Sequence, residues 1–429
     1  GTLQASTIYG GAGNDSISKG AGTISSALIH GDLGNDTINI DAVSLYNTTV
    51  YGDNTGSTGG DDVLDLTDAG TGLNNVSVYG GKGGDTLLIN NANTEKALTS
   101  FFQGNAGSDS LEFFGSANSS TLRGGAGNDT ISIDYSGSGG SVSSQFFGDL
   151  GNDYITVGIG YGSSTIYGDN DATGTGGGQD TILAETLTGS VKIYAGAGND
   201  TLSIASGTSS TVYGGAGADT LGVAAGAANI LYAEAGNDTL SVGAGTTTLY
   251  GGDGTDSINV GTGASNKIYG QADNDSFSAA GALNTSTIVG GAGADVFTFD
   301  GGNTTSSKLS GGTGNDSVNF GAFATSAGLG TTVYFGYGDG NDSIAFGSSG
   351  SNTIAGSIVV AVDTQYGATS TYGFSGSAGD TSRTVSFGSG TKQGSIAFSN
   401  LFTATGSTQL GAQGVTFTTV STSTITALG

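Results

Sequence analysis

Apolar and polar residues alternate in short stretches along most of the chain. In the segment DTLSI, one serine separates Leu202 from Ile204, and in DTISI one serine separates Ile131 from Ile133. A period of two places the apolar side chains on one face of a β-strand and the Thr and Ser side chains on the other. The pattern therefore predicts short β-strands with one buried face.

These strands recur around an aspartate that ends a glycine-rich turn. Glycine lies two residues before the aspartate in fifteen of sixteen units, the exception being Asp273 before Asp275, and an apolar residue lies two residues after it in all sixteen. Successive aspartates are 18 to 27 residues apart. A further apolar residue usually lies seven residues before the aspartate, as at Ile8, so each unit is predicted to read strand, turn, strand, loop. The aspartates are Asp15, Asp36, Asp62, Asp85, Asp109, Asp129, Asp153, Asp180, Asp200, Asp219, Asp238, Asp256, Asp275, Asp295, Asp316 and Asp342.

A strand pair of this length cannot bury its apolar face alone. Stacking of the units at the strand spacing of about 4.8 Å buries a continuous narrow core. We therefore expect an all-β protein, a right-handed parallel β-solenoid of about 16 coils over residues 1–346. The glycine motif ends after Phe346, but β patterns continue in SIVVAVD and GVTFTTV, so residues 347–429 are expected to form a β-rich C-terminal cap or an assembly or secretion region. Such a cap would cover unpaired backbone groups of the last coil.

Composition and charge narrow the function. The chain has 36 acidic residues against 9 basic ones, a net charge of -27, which disfavours nucleic acid as a partner. Without cysteine, disulfides and thiolate metal sites are excluded, and no apolar run approaches the roughly 18 residues of a membrane span. With His30 as the only histidine, no pair of nucleophile and base can be nominated, so we expect no enzymatic activity.

The turn chemistry points to a hard cation. Glycine permits a turn that exposes backbone carbonyls, and the aspartate adds a charged oxygen at the end of the turn. Oxygen ligands of these two kinds are preferred by Ca²⁺, and two stacked turns can supply the six or more ligands that one ion needs. All sixteen aspartates are therefore candidate Ca²⁺ ligands, with multiple ions per chain.

Several units resemble the nonapeptide of RTX (repeats-in-toxin) proteins, among them GGAGNDSIS at residues 10–18, GGAGNDTIS at 124–132 and GGTGNDSVN at 311–319. The resemblance implies a parallel β-roll with Ca²⁺ in the turns. It also implies export from a Gram-negative bacterium through a type I channel, with an uncleaved C-terminal signal. The chain departs from the usual roll because one motif falls in each coil of about twenty residues, so we expect calcium along one edge only.

Two functions fit this pattern. The first is a secreted, calcium-stabilised structural protein that self-assembles at the cell surface as an S-layer lattice or a filament, with a cell-surface polysaccharide as a candidate anchor. The alternative is a calcium-dependent stalk or folding module of a larger exported hydrolase, toxin or adhesin. The repeat is already present at Ser6, so we expect either further residues before Gly1 or docking of this end on a neighbouring subunit.

Other interpretations of single features remain open. The aspartates could cap their own turns, as Asx turns do. Two enlarged turns contain Asp53, Asp169 and Asp171, which either bind further ions or cap a wider loop, and Ala233 and Glu234 weaken the motif before Asp238.

Tyrosines directly follow the first apolar residue in many units and are predicted to stack, although a carbohydrate platform is an alternative. His30 replaces one of them and is expected to be an incidental surface residue. Ice binding is disfavoured, because threonine lies three residues before the aspartate only at Thr313. The tyrosines are Tyr9, Tyr79, Tyr194, Tyr213, Tyr232, Tyr250 and Tyr269.

Overall fold

The structure is a computed structural model in which the described residues form strands, turns and loops. Among them no helix is long and apolar enough to span a membrane. The chain divides into two compact units, Gly1–Thr220 and Leu221–Gly429, which are described separately. The domain boundary expected at residue 346 stays a prediction. The described residues are 1–53, 59–91, 97–115, 117–134, 143–159, 162–170, 177–279, 283–299, 304–320, 329–335, 340–346, 356–363, 373–375, 383–389, 392–399 and 415–420.

The strands of the first unit follow one another with short connections. Each coil has one strand before the glycine turn, one after it and, in several coils, a short strand on the far side. The bounds are β1 Leu3–Gln4, β2 Thr7–Ala12, β3 Ser16–Lys19, β4 Thr23–Ser25, β5 Leu28–Leu33, β6 Thr37–Ile40, β7 Ala42–Tyr46, β8 Thr49–Asp53, β9 Val63–Asn74, β10 Ser77–Lys82, β11 Thr86–Asn91, β12 Ala97–Leu98, β13 Phe101–Ala106, β14 Ser110–Phe114, β15 Ala117–Asn118, β16 Thr121–Ala126, β17 Thr130–Asp134, β18 Gln145–Leu150, β19 Tyr154–Ile159, β20 Thr165–Asp169, β21 Thr181–Leu187, β22 Lys192–Ala197, β23 Thr201–Thr208 and β24 Thr211–Ala216.

The second unit has the same organisation, followed by a different C-terminal part. Its first two strands are long because each runs from one glycine turn round the far side to the next. The bounds are β25 Thr220–Ala235, β26 Thr239–Asp253, β27 Ser257–Val260, β28 Gly263–Ala264, β29 Lys267–Ala272, β30 Ser276–Ala279, β31 Leu283–Asn284, β32 Thr287–Ala292, β33 Val296–Phe299, β34 Thr304–Thr305, β35 Lys308–Thr313, β36 Ser317–Phe320, β37 Leu329–Phe335, β38 Asn341–Phe346, β39 Gly356–Asp363, β40 Gly373–Ser375, β41 Arg383–Ser389, β42 Lys392–Ser399 and β43 Val415–Val420.

Equivalent strands of successive coils pair in parallel and in register. For example, β11, β14 and β17 align Leu87 with Leu111 and Leu111 with Ile131. The predicted all-β parallel solenoid is thereby confirmed. It has about 13 turns, slightly fewer than the 16 coils expected from the aspartate count. The aspartate count includes every coil that has a glycine turn at one edge. In several coils the far side falls among undescribed residues, so fewer complete turns are described.

The apolar face of each strand forms the core. Along β14 the side chains alternate between buried and partly exposed, and both Leu111 and Phe113 are fully buried. Because the register places like positions above one another, the core is a set of stacked columns, such as the parallel rings of Phe277 and Phe297 with centroids 4.7 Å apart. Each coil therefore buries its apolar face both across its own interior, where Phe102 meets Phe113, and against its neighbours.

The glycine turn holds the backbone in a left-handed conformation at two places, four and two residues before the aspartate. Gly125 and Gly127 are examples, with φ values of 124° and 139°. A β-carbon added at the second of these places would overlap the carbonyl oxygen of the same place in the preceding coil, as Gly107 would overlap Gly83 O. Glycine is required there by close backbone stacking as well as by conformation.

The opposite corner of the coil is held together differently. Non-glycine residues adopt positive φ there, for example Ser119 at 50°. Buried hydroxyl groups follow them and link the coils, because Val76 N donates to Ser100 Oγ and Ser100 N donates to Ser120 Oγ, each at 3.2 Å. Neutral side chains thus satisfy the backbone at this corner, while carboxylates occupy the other.

The predicted tyrosine stacking is confirmed. The rings of Tyr194 and Tyr213 are 4.6 Å apart and nearly parallel, as are those of Tyr232 and Tyr250 at 4.9 Å. The expectation that His30 is an incidental surface residue is wrong. Its half-buried ring stacks between two tyrosines, at 5.1 Å from Tyr9 and 4.7 Å from Tyr51, because the register places it in their column.

The C-terminal part contains further strands, as the sequence pattern predicted. Strand β42 pairs in parallel with β38 and antiparallel with β41, so a hairpin is attached to the last coil of the repeat. Strand β43 pairs in parallel with β39. The β-rich character is therefore present over the described strands, and the role as a cap stays a prediction.

The glycine stacking yields a matched test. We expect Gly107→Ala to destabilise the protein by about 3 kcal/mol or more, because its β-carbon would overlap the backbone oxygen of Gly83. Gly13→Ala is the control, since Gly13 also has positive φ, at 109°, but has open space around the added carbon and should cost about 1–2 kcal/mol. Unfolding midpoints in urea at fixed calcium would compare them. Equal losses would show that conformation alone, rather than backbone contact, requires these glycines.

Candidate metal-binding edge

The motif aspartates form a column along one edge of each unit. Ten of them, Asp15 to Asp219, belong to the first unit and six, Asp238 to Asp342, to the second. Fifteen of the sixteen side chains are only 0–6% exposed, and Asp15 is half-buried. The carboxylates are thus enclosed by the stacked turns.

One carboxylate oxygen of fourteen of the aspartates links neighbouring coils. The amide nitrogen of Asp109 donates to Oδ1 of Asp129, and the amide of Asp129 donates to Oδ1 of Asp153, both at 2.8 Å. In the described residues this bond is made nine times from Asp15 to Asp219, at 2.7–2.8 Å, and five times from Asp238 to Asp342, at 2.8–2.9 Å. The carboxylate therefore accepts from an adjacent coil rather than capping its own turn, which corrects the Asx-turn interpretation.

The asparagines directly before the aspartates form a second, exposed column that the sequence reasoning missed. Asn199 Oδ1 accepts from the amide of Ala218, and Asn128 Oδ1 accepts from the amide of Asn152. These bonds run from the later coil to the earlier one, opposite to the aspartate bonds. The signal was available in the recurrent GND triplet, since Asn is suited to accept a backbone hydrogen bond.

The second carboxylate oxygen is left without a hydrogen bond in most of the column. This buried Oδ2 has no hydrogen-bond partner, although an anionic oxygen out of contact with water carries a large desolvation cost. The arrangement is therefore incomplete without a further group of positive charge. The aspartates concerned are Asp15, Asp36, Asp62, Asp85, Asp109, Asp129, Asp153, Asp180, Asp200, Asp256, Asp275, Asp295 and Asp316.

Backbone oxygens approach the same place. A β-carbon added at Gly124 would overlap Oδ2 of Asp129 and would lie 2.6 Å from the carbonyl oxygen of Gly148 in the next coil. In the described residues no three Asp, Glu, His or Cys side chains come together to hold a metal. A cation on this edge would therefore combine one carboxylate per turn with backbone carbonyls, a donor set of oxygens that fits Ca²⁺.

Burial strongly raises the pKa of eleven of the motif carboxyl groups. Desolvation is the largest cause, the amide hydrogen bond to Oδ1 opposes it, and neighbouring aspartates raise the pKa further in most cases. The pKa rises to about 8 for Asp85 and Asp275. It rises to about 7 for Asp62, Asp129, Asp153, Asp180 and Asp200, and to about 6 for Asp109, Asp256, Asp295 and Asp316.

The weaker units keep the same backbone. Glu234 replaces a turn glycine before Asp238 yet adopts the same positive φ, 79°, and Asp238 still donates to Asp256 at 2.9 Å. In the enlarged turns, Asp53 and Asp169 are buried and accept hydrogen bonds from the amides of Lys82 and Ala197. Both thus bind to the turn of the next coil, and Asp171 lies outside the described residues.

The raised pKa values predict that the folded state of the metal-free protein is more stable at low pH than at high pH. Because the folded carboxyl groups bind protons more tightly than the unfolded ones, whose pKa is about 3.9, folding without metal should be favoured as pH falls through about 8 to 6 and weakened above that range. Circular dichroism in EDTA should show more β-sheet at about pH 5 than at pH 8, and added calcium should restore the signal at pH 8. A metal-free signal that increases with pH would contradict this.

Comparison with known proteins agrees with the geometry of this edge. No curated protein matches the chain. A family model described as the RTX calcium-binding nonapeptide repeat (4 copies) matches residues 1–23, 103–132, 175–210, 204–227, 213–249, 223–265, 250–282 and 286–305.

The matched segments include turns of both units, among them those that end at Asp15, Asp129 and Asp256. Repeats of this family bind calcium, so multiple Ca²⁺ ions are the ligands of the chain. The buried, unsatisfied oxygens and the family match lead to the same conclusion: over the matched segments the chain carries RTX calcium-binding repeats.

Proposed function

We propose that this chain is a secreted structural protein without catalytic activity, that calcium stabilises its fold, and that it assembles with copies of itself at the cell surface as a lattice (S-layer) or filament. The observation that carries the proposal is the column of buried aspartates, because one structural device is repeated through most of the chain. A module that served a neighbouring catalytic domain would need fewer copies of it.

The sixteen motif aspartates are the proposed ligands. In this assignment Oδ2 and turn carbonyls of neighbouring coils hold each ion, while Oδ1 keeps its hydrogen bond to the adjacent coil. Metal binding and folding are then coupled, since the ligands come together only when the coils stack. Calcium sites of extracellular modules work at about 10⁻⁴–10⁻³ M, so such a chain would fold after export rather than before it.

The outer face of the strands supports lateral association. The residue after each aspartate points outward, and in the first unit Thr130, Thr201 and Thr220 are exposed at this place. The in-register coils repeat these hydroxyl side chains at the strand spacing of about 4.8 Å. A flat, regularly repeated surface of this kind can pack against the same surface of another copy.

Calcium removal tests the proposed ligands. We expect excess EDTA at pH 8 to abolish the β-sheet signal of residues 1–346, and calcium to restore it. Asp200→Asn keeps an oxygen that can accept the amide of Asp180 but removes the charge, so it should cost roughly 1–3 kcal/mol in calcium and raise the calcium concentration needed for folding.

Asp134→Asn is the matched control, since Asp134 is exposed and lies outside the turn. Circular dichroism across a calcium titration would measure all three proteins. The ligand assignment fails if Asp200→Asn and Asp134→Asn shift the midpoint equally, or if the wild-type spectrum is unchanged in EDTA.

Electron microscopy tests the assembly. We expect ordered sheets or fibres of the purified chain in calcium and none in EDTA. Folded but separate particles at all calcium concentrations would contradict self-assembly and would favour a stalk or folding module of a larger exported protein.

A further inference from the structure

The two enlarged turns share a feature that the repeated motif lacks: a second pair of aspartates on adjacent coils. The register aligns Asp32 with Asp53 in one place and Asp149 with Asp169 in the other. The first member of each pair stands where most turns have glycine, and both adopt positive φ, 79° at Asp32 and 82° at Asp149. Asn105, Glu234 and Gln271 also adopt positive φ at this place, so the paired carboxylates, rather than the conformation, distinguish these two turns.

The surroundings of the two pairs are equivalent. Beside the first pair, the register stacks Tyr9, His30 and Tyr51 in one column. Beside the second pair, the same positions are held by Arg123, Phe147 and Tyr167. Comparison of the side chains beside the two pairs shows that Arg123 stands at the position of Tyr9, which changes the charge beside the pair.

At the second pair the chain supplies its own positive charge. Arg123 Nε donates to Asp149 Oδ2 at 2.9 Å and to Oδ1 at 3.1 Å, and Arg123 Nη2 forms a further ion pair with Oδ1. The guanidinium carbon lies 4.4 Å from the centre of the Phe147 ring, which holds the side chain in place. The acidic pair is thus accompanied by a fixed cation.

At the first pair the equivalent position is Tyr9, which carries no positive charge. Asp53 is only 5% exposed; its Oδ2 accepts from the amide of Lys82 at 2.9 Å, and its Oδ1 is buried without a hydrogen-bond partner. Oδ1 of Asp32 is likewise buried and without one. Two carboxylates on strands about 4.8 Å apart, each with an unsatisfied oxygen, repel each other unless a cation lies between them.

Two side chains near the pair can carry positive charge, and neither replaces Arg123. The His30 ring is stacked between Tyr9 and Tyr51, and its buried Nδ1 has no hydrogen-bond partner, so this nitrogen donates to neither carboxylate. Lys82 is exposed, and its charge is the smallest of the influences on Asp53, behind burial and the amide hydrogen bonds.

We propose that Asp32 and Asp53 bind an additional Ca²⁺ ion, separate from those of the main aspartate column, at the place that corresponds to the Arg123 guanidinium beside Asp149. Carboxylate oxygens from two coils, completed by backbone carbonyls or water, form the hard oxygen set that Ca²⁺ takes. The proposal does not depend on self-assembly, and it adds one ion to those of the repeated turns.

Exchange of the two environments gives a reciprocal test. Tyr9→Arg should place a guanidinium beside Asp32 and lower the calcium count of the intact chain by one. Arg123→Tyr should remove the fixed cation beside Asp149 and raise the count by one. Native mass spectrometry of the full chain in calcium resolves single bound ions, and circular dichroism confirms that each variant is folded.

Three further variants define the outcome. Asp53→Asn should lower the count by one, whereas Asp134→Asn, which removes an exposed carboxylate outside the turns, should leave it unchanged. Lys82→Gln should also leave it unchanged, and a gain of one ion there would show that Lys82 is the counter-charge and would overturn the proposal. Unchanged counts in both Tyr9→Arg and Arg123→Tyr would overturn it as well, whether or not Asp53→Asn folds, without affecting the main column.

Discussion

The structure depends on one buried anionic oxygen in each coil. Along both units, motif aspartates use one carboxylate oxygen to accept an amide from the adjacent coil, and in most of the column the other oxygen is enclosed without a donor. The hydrogen bond fixes the register of the coils, but it also holds the second oxygen away from water. The same contact that aligns the coils thus creates the demand for positive charge, which links the fold directly to calcium.

Different chemical groups link neighbouring coils at the two edges of the coil. At one corner, neutral hydroxyl groups satisfy the backbone, and residues such as Ser100 and Ser120 bridge the coils without any ion. At the other, glycines bring the backbones close together, and carboxylates accept amides of the adjacent coil. The proposed calcium sites therefore lie on one edge, while packing of Leu, Ile and Phe columns serves the whole coil.

Much of this could be predicted from the sequence because the period is regular. Alternation in strands such as β17, together with glycine before Asp129, was enough to predict stacked parallel strands and a column of aspartates. The bonding of Oδ1 to an adjacent coil was not predictable, since residue spacing does not reveal which amide a carboxylate meets. The stacking of His30 was misjudged because one residue type was considered alone, although its register position already matched the tyrosines.

The regular bond between aspartates tolerates coils of very different length. The pair Asp238 and Asp256, 18 residues apart, and the pair Asp129 and Asp153, 24 residues apart, make the same hydrogen bond at 2.9 and 2.8 Å. In the longer coil, ten residues separate strand β17 from strand β18, whereas the bond between the aspartates is unchanged. The length of a coil can therefore change between these strands at little thermodynamic cost while the aspartate edge keeps its spacing.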